Sequence, residues 1–242
     1  MSQSDQYPFS VQVPHLLFLD ANALFSDWQR ALWLSFAETF AFVRLSHSAL
    51  VLDECFRNLR RLGHLTEAGA NVSRQLWEAH PAVGCISDFD AYLADVRTVH
   101  EKDRHVAAAA LKWRHQVSQT AHENGVNQRP EQSAIALLTW NIRDFPKPAL
   151  RRVGIERWSP DEWLRHCIRE APRQTLTILG NSLERAQAHR TQLADCLSDY
   201  QQRASGFPVS LSGWPDFLRR VGFRQSASAL ERANVPHPPS TG

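Results

Sequence analysis

Four acidic residues are placed so that they could form one site, because each follows an apolar segment or opens a helix. Asp20 ends the run HLLFLD, and Asp144 lies four residues beyond the run AIALLTW. Glu54 lies in the second turn of a predicted helix, and Asp103 heads the apolar row of an Ala-rich helix. Converging carboxylates would repel one another unless a divalent cation held them. Oxygen ligands of this kind favour Mg²⁺ or Mn²⁺ over zinc.

Each acid taken alone also has an ordinary structural interpretation, and for a single acid that interpretation is the favoured one. Asp20 and Asp103 can cap helices, Glu54 can interact with a helix dipole, and Asp144 can form an Asx turn. Asp53 adds an ambiguity, because it is adjacent to Glu54 and carries the same charge. Helical periodicity alone does not choose between the two.

The elements that must position these acids alternate along the chain. The pattern predicts strands over 15–20, 42–46, 82–86 and 134–140. It predicts helices over 27–41, 49–62, 65–79 and 103–119, with Ser46 or Ser48 as a cap for the second of them. Such alternation is typical of an α/β fold with a parallel sheet covered by helices on both faces.

The carboxyl ends of parallel strands lie at one edge of a sheet, where the strand-to-helix turns gather ligands. All four acids fall at that edge of the predicted sheet. Their joint placement therefore favours a shared site over four independent structural roles. We expect the four carboxylates to surround one pocket, close enough to share one or two cations.

The chain changes character after residue 158, where the strand signals end. SPDEWLRHCIRE is predicted to be a capped helix, and 173–204 a long polar helix with a narrow row of leucines. That row is expected to pack on the main domain, on a second copy or on a protein partner. The predicted organisation is an N-terminal tail over 1–13, a main domain over 14–165, a helical C-terminal segment over 166–234 and a disordered tail over 235–242.

Composition excludes some classes of protein and leaves others open. The 242 residues are 43% hydrophobic and carry a formal net charge of +2, which neither requires nor excludes a nucleic-acid partner. The chain has four cysteines without a Cys-x-x-Cys pair, so neither a zinc site nor a disulfide framework is predicted. Without a leader sequence or a membrane-length apolar run, we expect a cytoplasmic protein with no membrane association.

Four segments, FLDANAL, LDECFRNL, EKDRHVAAAAL and LLTWNIRDFP, resemble in order the four acidic motifs of PIN-domain ribonucleases. The likeness covers about 14–165 and is closest to the toxin members of toxin–antitoxin systems. It implies a three-layer α/β/α sandwich with a central parallel sheet, metal-dependent cleavage of RNA with Mg²⁺ or Mn²⁺, and a cognate antitoxin. The catalytic and metal-binding acids that it implies are Asp20, Glu54, Asp103 and Asp144, so it selects Glu54 over its neighbour.

Four further residues are candidates for supporting or substrate-binding roles. The resemblance gives Asn141 a supporting polar role. Arg57, Arg60 and Arg61, one turn past the second acid, are candidates for contacts with RNA phosphates, although a solvated helix face explains them equally well. A homodimer is a further candidate assembly. The chain departs from the family pattern at 121–133, which resembles an insertion, and at Trp140, where a smaller aromatic residue is usual.

Two rival functions are weighed against the nuclease. A phosphotransfer enzyme of the haloacid-dehalogenase type also places Asp after its first strand, but it needs a second Asp where this chain has Asn22. A catalytically silent PIN-fold module would bind RNA or a protein without cleaving it. The four intact acids argue against a degenerate site of that kind.

Overall fold

The fold is described from a computed structural model, which places residues 14–123, 135–192 and 213–233. The predicted tails over 1–13 and 235–242, and most of the predicted insertion 121–133, lie outside these residues. None of the helices in the described ranges combines the length and the hydropathy of a bilayer-spanning segment.

The sheet has five parallel strands in the order β3-β2-β1-β4-β5. They are β1 Leu16–Leu19, β2 Arg44–Ser48, β3 Val83–Ile86, β4 Ile135–Leu138 and β5 Ile155–Trp158. Every residue of β1 and β4 is buried, as expected for central strands with continuous apolar sequences. The edge strand β5 was not predicted from the sequence, because only Ile155 of IERW is fully buried and the apolar pattern is weak.

Nine α-helices are present within the described residues. They are α1 Asp27–Thr39, α2 Ala49–Arg61, α3 Glu67–Glu78, α4 Arg104–Glu123, α5 Lys147–Arg152, α6 Pro160–Glu170, α7 Pro172–Gln192, α8 Trp214–Arg220 and α9 Arg224–Arg232. The bounds of the first four are close to the predicted ones, whereas the predicted helix 173–204 is described only as far as residue 192. Ser48 caps α2, since its hydroxyl accepts from the Val51 amide at 3.3 Å. The Ser46 hydroxyl instead donates to the Gly84 carbonyl at 3.1 Å, joining β2 to β3.

The path of the chain creates a switch point in the sheet between β1 and β4. The chain runs from β1 outward to β3, then returns through α4 to β4 on the other side of β1. Crossovers between parallel strands are right-handed as a rule, so this reversal of direction assigns α1–α3 and α4 to opposite faces of the sheet. Phe18 of β1 packs on Trp113 of α4, with ring centroids 6.4 Å apart. The fold is therefore α/β with helices flanking an all-parallel sheet, which is consistent with a three-layer sandwich.

The C-terminal helices pack on the main domain through Trp28 of α1. Its indole nitrogen donates to the Ser182 hydroxyl of α7 at 3.0 Å. Its ring also makes edge-to-face contacts with Phe217 and Phe223, at centroid distances of 5.0 and 5.3 Å. Within the predicted leucine row, Leu179 is fully buried, whereas the part beyond 192 lies outside the described residues. The described part of the row thus packs against its own chain.

One buried acid ties α9 to α6. The Asp161 carboxylate accepts from the amides of Gln225 and Ser226 at 2.9 and 2.8 Å, and from the Ser226 hydroxyl at 2.7 Å. It therefore caps the first turn of α9 from a neighbouring helix, where a negative charge is favourable. Asp161 is only 5% exposed, and its two bonds to Ser226 are buried, so water does not readily replace them.

Replacing this acid tests how strongly the C-terminal helices are anchored. Asp161→Ala leaves the Gln225 and Ser226 amides without their side-chain acceptor, while the Ser226 hydroxyl keeps the Asp161 carbonyl as an acceptor at 3.0 Å, and we expect the free energy of unfolding to fall by about 1–3 kcal/mol. Urea titration followed by circular dichroism measures the change. Asp216→Ala is the matched control, because that side chain is 88% exposed and its loss should change stability by less than about 0.5 kcal/mol. Equal effects of the two substitutions would contradict the proposed anchor.

Candidate acidic active site

A small polar cleft lies at the carboxyl ends of β1 and β4, at the switch point of the sheet. Its lining comprises Asp20, Ala21, Asn22, Phe25, Glu54, Cys55, Asn58, Lys102, Asp103 and Asn141. The cavity measures about 180 Å³, below the ~300–1,000 Å³ of typical small-molecule pockets. Three of the four predicted acids line this cleft, and its size suits a hydrated cation or one phosphate group.

Asp20 is the most buried acid of the site and is held by three donors. One carboxylate oxygen accepts from the Ala21 amide at 2.7 Å. The other accepts from the Asn22 amide nitrogen and from the Thr139 hydroxyl, each at 2.7 Å. The Asp20 amide itself donates to the Leu138 carbonyl at 3.1 Å. The carboxylate is thereby fixed between the ends of β1 and β4.

Asn22 and Thr139 also bind the two loops to each other. The Asn22 side-chain oxygen accepts from the Trp140 amide at 2.8 Å, and the Thr139 hydroxyl accepts from the Asn141 amide at 2.9 Å. Neither residue was assigned a role in the site from the sequence. The available signal was their position in the sequence: Thr139 directly follows β4, and Asn22 lies in the turn that follows β1.

Burial is the main cause that raises the pKa of Asp20, to about 6. Hydrogen bonds from Thr139 and Ala21 oppose this shift, and the nearby charges of Glu54 and Asp103 add to it. Near neutral pH the site therefore holds a carboxylate whose charge is incompletely compensated. A cation bound in the cleft would lower the free-energy cost of keeping the Asp20 carboxylate ionised.

The structure separates the two adjacent acids of α2. Glu54 is half-buried and lines the cleft beside Asn58, which lies one turn further along the helix. Asp53 is exposed and forms an ion pair with Arg74 of α3, outside the cleft. The placement agrees with the choice of Glu54, since only this acid faces the other carboxylates.

Asp103 contributes an unsatisfied oxygen. Its side chain is 13% exposed, and within the described residues Oδ2 is buried without a hydrogen-bond partner. Burial raises the pKa of Asp103, Asp144 and Glu54 raise it further, and Lys102 lowers it. A buried oxygen of this kind is costly unless a ligand binds it.

Asp144 lies at the rim of the cleft rather than in its lining. Its Oδ2 accepts from the Asn141 amide nitrogen at 2.7 Å and from Lys102 Nζ at 3.0 Å. These two bonds, with Asn141 the larger contributor, lower the pKa of Asp144. The sequence predicted the supporting role of Asn141 from the family motif but did not assign Lys102 to the site.

The side chains that line the cleft suit a hard divalent cation, because they offer carboxylate and amide oxygens to coordinate it. Oδ2 of Asp103, which has no hydrogen-bond partner among the described residues, is also available to coordinate such a cation. However, in the part of the chain that the structure describes, no three His, Cys, Asp or Glu side chains are close enough to hold a metal ion. To bind a cation, the carboxylates of Asp20, Glu54 and Asp103 would have to move closer together. Asp144 could join them only by releasing Lys102.

The three arginines predicted to contact phosphate lie elsewhere on α2. Arg57 and Arg60 line a separate groove with Arg74 of α3, and Arg60 forms an ion pair with Glu67. Arg61 is exposed near the end of the helix. Since none of the three lines the acidic cleft, contact with RNA phosphates stays a prediction for them, and Lys102 is the nearer cation.

Trp140 links the site to the C-terminal helices. Its ring meets Phe223 edge-to-face, with centroids 5.1 Å apart, while its amide is bound by Asn22. Phe223 directly precedes α9 and is fully buried. The large aromatic residue at this position therefore packs the site loop against a segment that lies outside the resemblance.

Comparison with protein-family models found no match for the chain. Comparisons with curated proteins and with solved structures likewise found none.

The raised pKa of Asp20 predicts a pH dependence of stability in EDTA. The folded carboxyl binds its proton more tightly than the unfolded one, so stability decreases as pH rises from about 4 to about 6. The ionised carboxylate should cost on the order of 2–3 kcal/mol above that range. Asp20→Asn removes the titration. The difference in free energy of unfolding between the two proteins, from urea titrations at pH 4–7.5, should therefore change with pH.

Asp53→Asn serves as the control, because Asp53 lies outside the cleft. Parallel pH profiles for the wild type and Asp20→Asn would show that burial does not perturb this carboxyl.

Proposed function

We propose that the chain is a Mg²⁺- or Mn²⁺-dependent endoribonuclease of PIN type that hydrolyses RNA phosphodiester bonds. The observation that supports it best is the convergence of Asp20, Glu54 and Asp103 on one cleft at the switch point of a parallel sheet. These three acids are spread over the chain from residue 20 to residue 103, and no structural role that each could play singly requires them to line the same cavity. A site for a cation does require it.

The residues of the chain would act by holding charge in fixed positions. When bound, a divalent cation supplies positive charge that lets an anionic phosphodiester approach, lowers the pKa of a water and neutralises the developing charge. Thr139 and Asn22 keep the Asp20 carboxylate in one orientation. Asn141 does the same for Asp144. Such preorganisation removes a reorientation cost during the reaction.

One observation favours the catalytically silent binding module as a second candidate. Lys102 bonds to Asp144 at 3.0 Å, and this leaves that acid without the open coordination that a ligand needs. A protein in which this ion pair kept every cation out of the cleft would bind RNA or a protein partner without cleaving it. A cleavage assay separates the two functions.

Cleavage should require both a divalent cation and the cleft acids. Purified protein is expected to cut a mixed RNA substrate with Mg²⁺ or Mn²⁺ and to lose this activity in EDTA. Glu54→Gln removes a carboxylate from the cleft and should slow cleavage by at least about 100-fold, the upper end of the effect seen for groups that only orient metal ligands. Gel analysis of labelled RNA measures the rates.

Asp53→Asn is the matched control, since it removes the same charge from the residue just before Glu54, whose side chain lies outside the cleft. It should retain a rate within about threefold of the wild type, because surface charges contribute little. Cleavage that persists in EDTA, or equal losses in the two variants, would contradict the mechanism. RNA binding without cleavage under every condition would identify the silent module.

As part of the same proposal, the protein is the toxin of a toxin–antitoxin pair, with a cognate antitoxin as its partner. Induced expression of the wild-type chain in bacterial cells should then arrest growth, because RNA cleavage stops protein synthesis. Asp20→Asn should relieve the arrest at equal protein level, measured by immunoblot and optical density. Normal growth of cells that contain active wild-type nuclease would contradict the toxin role but not the proposed nuclease activity.

A further inference from the structure

Lys102 brings a positive charge to the rim of the acidic site. Its Nζ lies 3.0 Å from Asp144 Oδ2 and 3.9 Å from Asp103 Oδ2. The side chain also lines the cleft together with Asp20 and Glu54. Lys102 therefore bridges two of the four acids and shares the cleft with the other two.

The backbone holds this lysine in place. Lys102 lies in a short 3-10 turn, Glu101–Asp103, that leads into α4. The His100 amide, just before the turn, donates to the Asp144 carbonyl at 3.4 Å, and the Asp103 amide donates to the His100 carbonyl at 2.9 Å. Consequently the turn that carries Lys102 and the loop that carries Asp144 are connected independently of the ion pair.

The ammonium group has the partners that a second cation would have. It contacts the same Asp144 oxygen that Asn141 orients, and it is the nearest cation to the unpartnered oxygen of Asp103. A divalent ion bridging these acids would need the same space between them. Positive charge at that position can come from the lysine or from a metal ion, but the two would repel each other if both were present.

We propose that Lys102 supplies the second positive charge of the cleft from within the chain, so that the wild-type protein binds one divalent cation rather than two. This inference rests on the proposed metal-dependent function. It assigns the single cation to the end of the cleft formed by Asp20, Glu54 and Asp103. Asp144 is then a partner of Lys102, held away from the metal.

The test uses Mn²⁺ alone as the probe and the full-length chain stripped with EDTA. The number of Mn²⁺ ions bound per chain is measured by electron paramagnetic resonance of the free ion, at pH 7.5. Wild type should bind one ion. Lys102→Gln frees Asp144 and opens the second position, so it should bind two ions, with the first up to about fivefold tighter than in wild type.

Two control variants separate charge from shape and position. Lys102→Arg keeps the positive charge and should bind one ion. Lys112→Gln removes a lysine that bonds to the carbonyls of Ser87 and Asp88 outside the cleft, and it should also bind one ion. Lys102 is 62% exposed, so the glutamine variant should fold normally, which its thermal unfolding curve checks.

The outcomes distinguish the inference from the function on which it rests. One ion in wild type and one in Lys102→Gln would overturn the role of Lys102 and leave the metal-dependent nuclease standing. Two ions in wild type would also overturn it. No bound ion in any variant would overturn both the role of Lys102 and the metal-dependent function.

Discussion

The site depends on one constraint: a buried carboxylate must sit between the ends of two strands that are distant in sequence. Asp20 is 5% exposed, and an ionised group so placed is unstable unless several donors surround it. Two of its three donors, Asn22 and Ala21, come from its own turn, and the third, Thr139, comes from the end of β4. The carboxylate therefore requires β1 and β4 to be neighbours with their ends aligned.

The sheet meets this requirement through its register. Leu19 of β1 pairs with Leu138 of β4, so the next residues, Asp20 and Thr139, emerge side by side. A shift of one residue would turn every side chain of a buried strand to the opposite face, and the continuous apolar core would resist it. The hydrogen bond from the Asp20 amide to the Leu138 carbonyl extends the ladder to the first residue of the site. The packing of the core thus positions the polar groups at its edge.

Sequence patterns were sufficient for the parts of the fold that repeat simple physical rules. β1 and β4 were predictable because short, continuously apolar runs must be buried, and α2 because a serine cap precedes an amphipathic stretch. β5 was not, since an edge strand with one fully buried residue carries little signal. The packing of the C-terminal helices on Trp28 could not be predicted either, because helical periodicity shows that a face is apolar but not which element covers it.

The same distinction applies to the site. Four acids could be selected because their positions relative to strands and helices are local properties of the sequence. The contacts of Thr139 and Lys102 are not local: the first joins residues 119 positions apart, and the second depends on how a turn meets a loop. Only the folded arrangement shows that Glu54 faces the cleft while Asp53 pairs with Arg74.

The charges of the cleft are distributed unevenly, so its two ends differ in electrostatic potential. At one end, burial raises the pKa of Asp20 and Asp103, so their negative charges are only partly compensated by the donors and the lysine around them. At the other end, Asn141 and Lys102 lower the pKa of Asp144, so its charge is well compensated. A cation would be drawn to the first end and an anionic phosphodiester would be repelled least at the second. If the cleft cleaves RNA, the backbone should therefore enter past Lys102 rather than past the arginines of α2.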